Sequence, residues 1–465
     1  MKSTGFTRRA FLKTASAGSL LSLAGLARAK AASARPHVVV IVLDTARRDH
    51  FSCYGYPRDT TPFLELLAAE STRYENAYAA SCWTLPSHAS LFTGLHLVSH
   101  GAHWEHLRLD AGLQTLPGAL REHGYETLGL SGNPYVCPQT GFGNGFDAFS
   151  TTKHGAPDEP GTNFALLQER LDAGVDTPLF IFINFSEVHD PYNSSAQFFG
   201  EYLSNPEYAD KYSIRGGAPQ LLLRNDPDWI THLTEHYDAE MRYVDFAVKT
   251  VARQLQKAGI WDNTVFIVTS DHGENLGEHG LLNHQYVLYE TLIRVPLLVR
   301  WPGRFPPGST AGAPVQLTDI FPTVLELAGV SPEDYPNQGR SLLAKDLANT
   351  RPVLAEYYIH EGLQNADPAE NAFAKRYRRR LKALRIENMK YIRGTNGSEE
   401  LFDLAKDPQE QDNLVGTSDA EPTRQRMAAA LRERVTECRT LREATFERKP
   451  IDEESRETLE SLGYL

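Results

Sequence analysis

Continuous apolar runs closed by polar residues mark the first two thirds of the chain. His37–Leu43 (HVVVIVL) is a β-branched run ending at Asp44, the pattern of a strand buried on both faces of a parallel sheet. Leu179–Phe185 (LFIFINF) and Thr264–Thr269 (TVFIVT) repeat it, and Val295–Val299 (VPLLV) is a shorter candidate. Helix-like stretches precede two of these runs, at Phe164–Ala173 and Tyr237–Ala258. Thr61-Pro62-Phe63-Leu64 opens a further helix, with Pro in its first turn and apolar positions 63, 64, 67 and 68 on one face. Strands alternating with helices predict an α/β fold with a doubly wound, mostly parallel sheet. Its chemistry is expected at the carboxyl ends of the strands. Asp44, His189 and Asp271-His272 all follow such ends.

Past about residue 345 the pattern changes. Arg351–Tyr358, Leu381–Arg385, Met389–Arg393 and Leu401–Leu404 read as short strands broken by Asn-Gly and Asp-Pro turns. A charged helix, Thr423–Cys438, and a polar tail follow. This predicts a catalytic domain at 35–345 and a small antiparallel α+β subdomain at 346–465. The basic run Lys375–Arg380 (KRYRRR) reads as a solvated loop entering that subdomain, with a rim contact to a polyanionic substrate as the lesser reading. No internal repeat is visible.

Composition narrows the class. The chain has 465 residues, 41% of them apolar, enough for a large core, and four cysteines, too few for a disulfide framework. No apolar run reaches the ~18 residues of a spanning helix. The N-terminus stands apart. Arg8-Arg9 precede a mildly apolar stretch, Thr14 to Leu26, and Ala27-Arg28-Ala29 or Ala32-Ser33-Ala34 offers a cut site. Residues 1–34 thus resemble a twin-arginine export signal, which implies the twin-arginine machinery as a partner and a periplasmic or extracellular location. That segment holds six of the 47 Lys and Arg and none of the 59 Asp and Glu, so its removal leaves a net charge of −18. So acidic a body excludes a general attraction for nucleic acid. An anionic substrate would need a local cluster of cations.

Four stretches carry the chemistry: Val42–His50, Ser81–Gly94, Glu187–Tyr192, and Thr269 through His284 to Tyr289-Glu290. A carboxylate at one strand end and an Asp-His pair at another can hold a divalent cation, and imidazole with carboxylate suits zinc or manganese better than calcium. A hydroxyl beside such a cation ionises more readily. Thr84 or a neighbouring serine then becomes a nucleophile for phosphorus or sulfur. His279 reads as a turn residue, and Cys82 as a rival nucleophile on chemistry alone.

These stretches, with Tyr54-Gly55-Tyr56, Gly145-Phe146-Asp147, Arg294-Val295-Pro296-Leu297, Asp319–Thr323 and Glu400–Leu404 with Asp407-Pro408, resemble the sulfatase family of the alkaline phosphatase superfamily over about residues 36–465. The resemblance implies a metal-dependent ester hydrolase acting on a small anionic ester or a sulfated or phosphorylated glycan or lipid. It implies Asp44, Asp271 and His272 as ligands of one divalent ion, with Thr84 as nucleophile completing the shell. The nucleophile stands two residues before the Pro-Ser of the family signature, and Pro86-Ser87 give that place to Thr84, not Cys82. His88 takes the place of the signature arginine as a catalytic residue. His189 and His284 match residues that bind the anionic group, and the three histidines, if protonated, would form the cation cluster.

Three departures shift the expected substrate. A threonine cannot become the formylglycine that most family sulfatases use, Thr45 stands where many have a second Asp, and His272 where many have Asn. The combination resembles the superfamily's phosphodiesterases and phospho-group transferases, so phosphate esters and manganese or zinc are favoured, with sulfate esters and calcium as the alternative. A non-catalytic anion-binding protein is the competing class.

Overall fold

The computed structural model describes residues 35–152, 159–192, 196–204, 227–345, 347, 350–360, 363 and 371–443. The expected export signal at 1–34, residues 205–226 and residues 444–465 of the polar tail lie outside these residues. The centre is an eight-stranded sheet of β1 (His37–Leu43), β2 (Thr72–Tyr74), β3 (Glu126–Ser131), β4 (Ala148–Thr151), β5 (Leu179–Phe185), β6 (Thr264–Thr269), β7 (Leu297–Arg300) and β8 (Ser309–Ala311). Its order is β8-β2-β7-β6-β1-β5-β3-β4. From β6 to β4 all neighbours are parallel, whereas β7 runs antiparallel to both β6 and β2.

β1 sits in the middle because both its faces are apolar. Val38, Val40 and Val42 join one core and Val39, Ile41 and Leu43 the other. The period of two in side-chain direction feeds both cores from one unbroken run. On the first face lies α1 (Thr84–Thr93), packed through Leu85, Ala89 and Phe92. On the second lies α2 (Pro227–Lys257), packed through Met241, Val244, Val248 and Val251. The register pairs Val42 of β1 with Asn184 of β5 and Thr269 of β6. Asp44, the Ser186–His189 loop and Asp271-His272 therefore leave the sheet at one edge.

The expected α/β architecture is the observed one, with two local corrections. Val295–Val299 is not one strand. Pro296 has no N–H to give a ladder, and the chain divides there into Arg294–Val295, paired to Ala77–Tyr78, and β7 in the central sheet. The helix expected at Tyr237–Ala258 begins earlier, at Pro227. The C-terminal part is a four-stranded antiparallel sheet, β9 (Val353–Tyr357), β10 (Leu381–Ile386), β11 (Met389–Gly394) and β12 (Glu399–Asp403), in that order. The helix α3 (Glu421–Glu443) packs on it through Met427, Leu431 and Val435. The basic run is not simply a solvated loop. It ends a short helix, Ala372–Tyr377, and Arg379 is buried against Glu400 at 3.2 Å. Among the described residues no helix is long and apolar enough to cross a membrane.

Candidate active site

Asp44, Asp271 and His272 are wholly buried, and one donor atom from each falls within 4.8 Å of the others. His272 Nε2 lies 3.3 Å from Asp271 Oδ2 and 3.9 Å from Asp44 Oδ1. Each carboxylate spends one oxygen on the protein. Asp271 Oδ1 accepts the backbone N–H groups of His272 (2.9 Å) and Thr45 (3.2 Å), and Asp44 Oδ2 accepts from the Asn133 amide. The other two oxygens, Asp44 Oδ1 and Asp271 Oδ2, are buried without a hydrogen-bond partner. His272 Nδ1–H donates to the Gly273 carbonyl at 2.9 Å. That bond fixes the tautomer and leaves the Nε2 lone pair facing the two orphaned oxygens.

Burial, reinforced by the nearby Glu274 carboxylate, pushes the Asp44 carboxyl up to about 7, against the opposing hydrogen bond from Asn133. Burial and Asp44 raise Asp271 well above the usual range, and burial lowers His272. Two desolvated carboxylates side by side hold protons more tightly than free ones do, and a divalent cation facing the imidazole lone pair would displace those protons and balance both charges. One nitrogen and two carboxylate oxygens suit manganese or zinc. Thr45 gives no ligand. It is held at φ +56° by its three backbone and hydroxyl bonds, and its Oγ1 donates to the Val188 carbonyl at 2.8 Å.

Thr84 opens α1, its Oγ1 3.4 Å from His272 Nε2. The residue borders a narrow pocket with Trp83, Asn133, Tyr135, His189, His284 and Gln285. Its hydroxyl stands at a helix start, which favours negative charge. Cys82 is fully buried and belongs to the apolar core, and burial pushes its thiol far up. It is inert where it sits.

His189 and His284 flank the same pocket, ring centroids 5.0 Å apart, and His284 is 4.6 Å from His272. Each is anchored through Nδ1, His189 at the Asp190 carbonyl (2.7 Å) and His284 at Glu274 Oε1 (3.1 Å). Glu274 also accepts from the Tyr192 hydroxyl at 3.0 Å. His88 is placed differently. It is wholly buried behind Thr84 and does not border the pocket. Its Nδ1 donates to the Thr84 carbonyl (3.0 Å), its Nε2 faces the Asn184 amide (3.3 Å), and Nδ1 is 3.4 Å from Asp271 Oδ2.

The expected cluster of protonated histidines is corrected here. Burial lowers His88 to about 4 and His284 to about 3, so both are neutral at pH 7. Desolvation at this depth does not support two imidazolium ions at His88 and His284. His279 lies in a turn at φ +55°, stacked on Tyr289 at 4.0 Å, away from the three ligands. Sequence reasoning passed over Asn133, Asn184 and Glu274. Asn184 had a readable signal, being the one polar residue in LFIFINF.

Fold and site together define a hydrolase of the alkaline-phosphatase-like class. The sulfatase family model matches residues 36–330, and that of the N-sulphoglucosamine sulphohydrolase C-terminal region matches 277–439. The chain belongs to the sulfatase family. An ulvan-active sulfatase of Formosa agariphila is 25% identical over 87% of this chain and 81% of its own. Arylsulfatase K of Canis lupus familiaris is 26% identical over 82% of this chain and 79% of its own. Among solved structures, the phosphonate monoester hydrolase of Agrobacterium radiobacter has a TM-score of 0.72 at 22% identity, covering 86% of this chain and 96% of its own. A structure solved with its substrate D-glucosamine-2-N,6-O-disulfate has a TM-score of 0.71 at 21% identity, covering 87% and 98%.

An ion held by these three residues would have a consequence for stability. Manganese or zinc at about a hundred times its Kd is expected to stabilise the fold by about 2.7 kcal/mol, read as a rise in Tm. Asp44→Asn should remove most of that rise while leaving the metal-free Tm unchanged or higher, because losing one of two adjacent buried carboxylates relieves their repulsion. A lowered metal-free Tm with an intact metal response would place the ion elsewhere.

Proposed function

We propose that the protein is an exported hydrolase of phosphate mono- or diesters that depends on one divalent ion and uses Thr84 as nucleophile. The observation that carries this reading is the threonine hydroxyl at the head of α1, 3.4 Å from the imidazole of a buried Asp-Asp-His cluster. Asp44, Asp271 and His272 would hold the ion, manganese or zinc in preference to calcium. Bound there, it would lower the pKa of a neighbouring hydroxyl and offset the charge gathering on the transferred group.

The chain's own residues supply the rest. Thr84 Oγ1 attacks phosphorus in line, the ester oxygen leaves on the opposite side, and the phosphoryl group rests on Thr84 as an ester. Water then attacks phosphorus and the threonine hydroxyl is restored. With its Nδ1 anchored, His189 takes the Thr84 hydroxyl proton at Nε2 as the bond to phosphorus forms and gives it to the leaving ester oxygen. In the second step it takes a proton from the attacking water and returns it to Thr84 Oγ1, while His284 Nε2 accepts a hydrogen bond from a protonated substrate oxygen. Glu274 acts through His284 by holding its ring. His88, out of the pocket, is a positioning residue that ties the Thr84 carbonyl to Asn184.

The names of the curated relatives support a second reading, a sulfuric ester hydrolase. Turnover of nitrophenyl phosphate, bis-nitrophenyl phosphate and nitrophenyl sulfate, with and without chelator, separates the two. Inactivity on all three after metal loading would leave the non-catalytic reading.

Export is proposed from residues 1–34, with the mature enzyme in the periplasm or outside the cell. Replacing Arg8 and Arg9 together with lysine should hold the protein in the cytoplasm, as fractionation and immunoblotting would read. Undiminished export of that variant would refute the twin-arginine route.

A further inference from the structure

Where the C-terminal sheet meets the catalytic part, the structure forms a second polar cavity, open to solvent on one side, of about 200 Å³. Asn76, Glu290 and Arg294 line it from one side, and Arg385, Asn388 and Pro408 from the other. None of these residues borders the pocket at Thr84.

Its charges are unevenly matched. Arg294 donates only to neutral acceptors, the Glu75 carbonyl at 2.9 Å and Asn76 Oδ1 at 3.0 Å. Arg385 donates to the Tyr78 hydroxyl and lies over the Tyr78 ring at 4.9 Å, its buried Nε without a hydrogen-bond partner. No carboxylate comes within ion-pair distance of either guanidinium among the described residues. Glu290, the one acid in the lining, is bound to the wholly buried Lys390 at 3.0 Å, and Lys390 also meets Glu410 at 2.7 Å. Arg294, Arg385 and Lys390 thus face two acids, Glu290 and Glu410. The nearby cations hold Glu290 below the usual carboxylate range, and the Tyr78 hydroxyl that Arg385 meets donates to Glu290 at 3.1 Å.

Two guanidinia and the Asn388 carboxamide around a space far larger than one water match a tetrahedral oxyanion, with Asn76 held between Arg294 and the Gly312 carbonyl. The planar donor fork of arginine binds such groups through paired N–H bonds. We propose that this cavity is a second anion site, taking phosphate or sulfate as a free ion or as the end group of a larger molecule. It stands on different residues from the catalytic reading and does not depend on it.

Calorimetric titration of the metal-loaded mature chain with inorganic phosphate tests the site, with phenylphosphonate in parallel to tell a free ion from a terminal group. Asn388→Asp puts a negative charge at an exposed turn without touching the core and should weaken the cavity's binding at least tenfold. Arg385→Gln should do the same. Both variants should keep kcat/KM for nitrophenyl phosphate within about twofold of the parent, with unchanged Tm for Asn388→Asp. Loss of one bound anion per chain in both variants, for either probe, supports the site. Equal stoichiometry and affinity in the parent and Asn388→Asp for both probes would overturn it.

Discussion

Thr84→Ala is expected to lower kcat/KM by at least about a thousandfold, on the order of 4 kcal/mol of transition-state stabilisation, with the fold intact. The hydroxyl is the only protein group in the proposed scheme that bonds to phosphorus, and removing it leaves binding and electrostatics without a nucleophile. The two atoms removed, Oγ1 and Cγ2, belong to a residue that borders the pocket, so circular dichroism and Tm should change little. Thr84→Ser keeps the hydroxyl and should retain substantial turnover. Cys82→Ala should stay within about twofold of the parent, because its sulfur lies in the apolar core with its thiol held protonated by burial. A dead Cys82→Ala beside an active Thr84→Ala would reverse the assignment.

The second large effect concerns the central atom of the substrate. An ester on threonine must be resolved by water attacking phosphorus or sulfur. Formylglycine hydrate avoids that step by expelling sulfate through C–O cleavage. A residue that cannot form the aldehyde should therefore lose most on sulfate. Phosphoryl groups on a hydroxyl are resolved with the help of a metal and neighbouring bases. A phosphate ester or diester is expected to exceed the matching sulfate in kcat/KM at least tenfold, on the order of 1.4 kcal/mol. Chelator should abolish the activity, and manganese or zinc should restore it better than calcium, because His272 offers nitrogen where calcium takes oxygen. A measured preference for sulfate with calcium reactivation would favour the conventional sulfatase reading.

The legible parts of the molecule were those buried from both sides. β1, β5 and β6 are read directly from unbroken apolar runs, since neither face of those strands meets water. β3 and β4 escaped notice for the opposite reason. They lie toward one edge, ETLGLS carries a glycine and polar positions, and AFST is half exposed along its length. The grouping of Asp44, Asp271 and His272 was readable because each follows a strand end, and the parallel register brings the ends together. Solvation was not. The residues at 88 and 284 are histidines in any reading, but only their depth shows that they stay neutral, and only Glu274 shows why the ring of His284 is held as it is. Asn133 gave no sequence signal, since its contact with Asp44 joins residues 89 positions apart.

The most direct test of the account is to stop the metal-loaded enzyme in acid during turnover of nitrophenyl phosphate and sequence the labelled peptide by mass spectrometry. The expected result is a phosphate ester on Thr84, formed at the burst rate of nitrophenol release and absent from Thr84→Ala. A stable label on Cys82, Ser81 or Ser87, or continued turnover by Thr84→Ala, would contradict it.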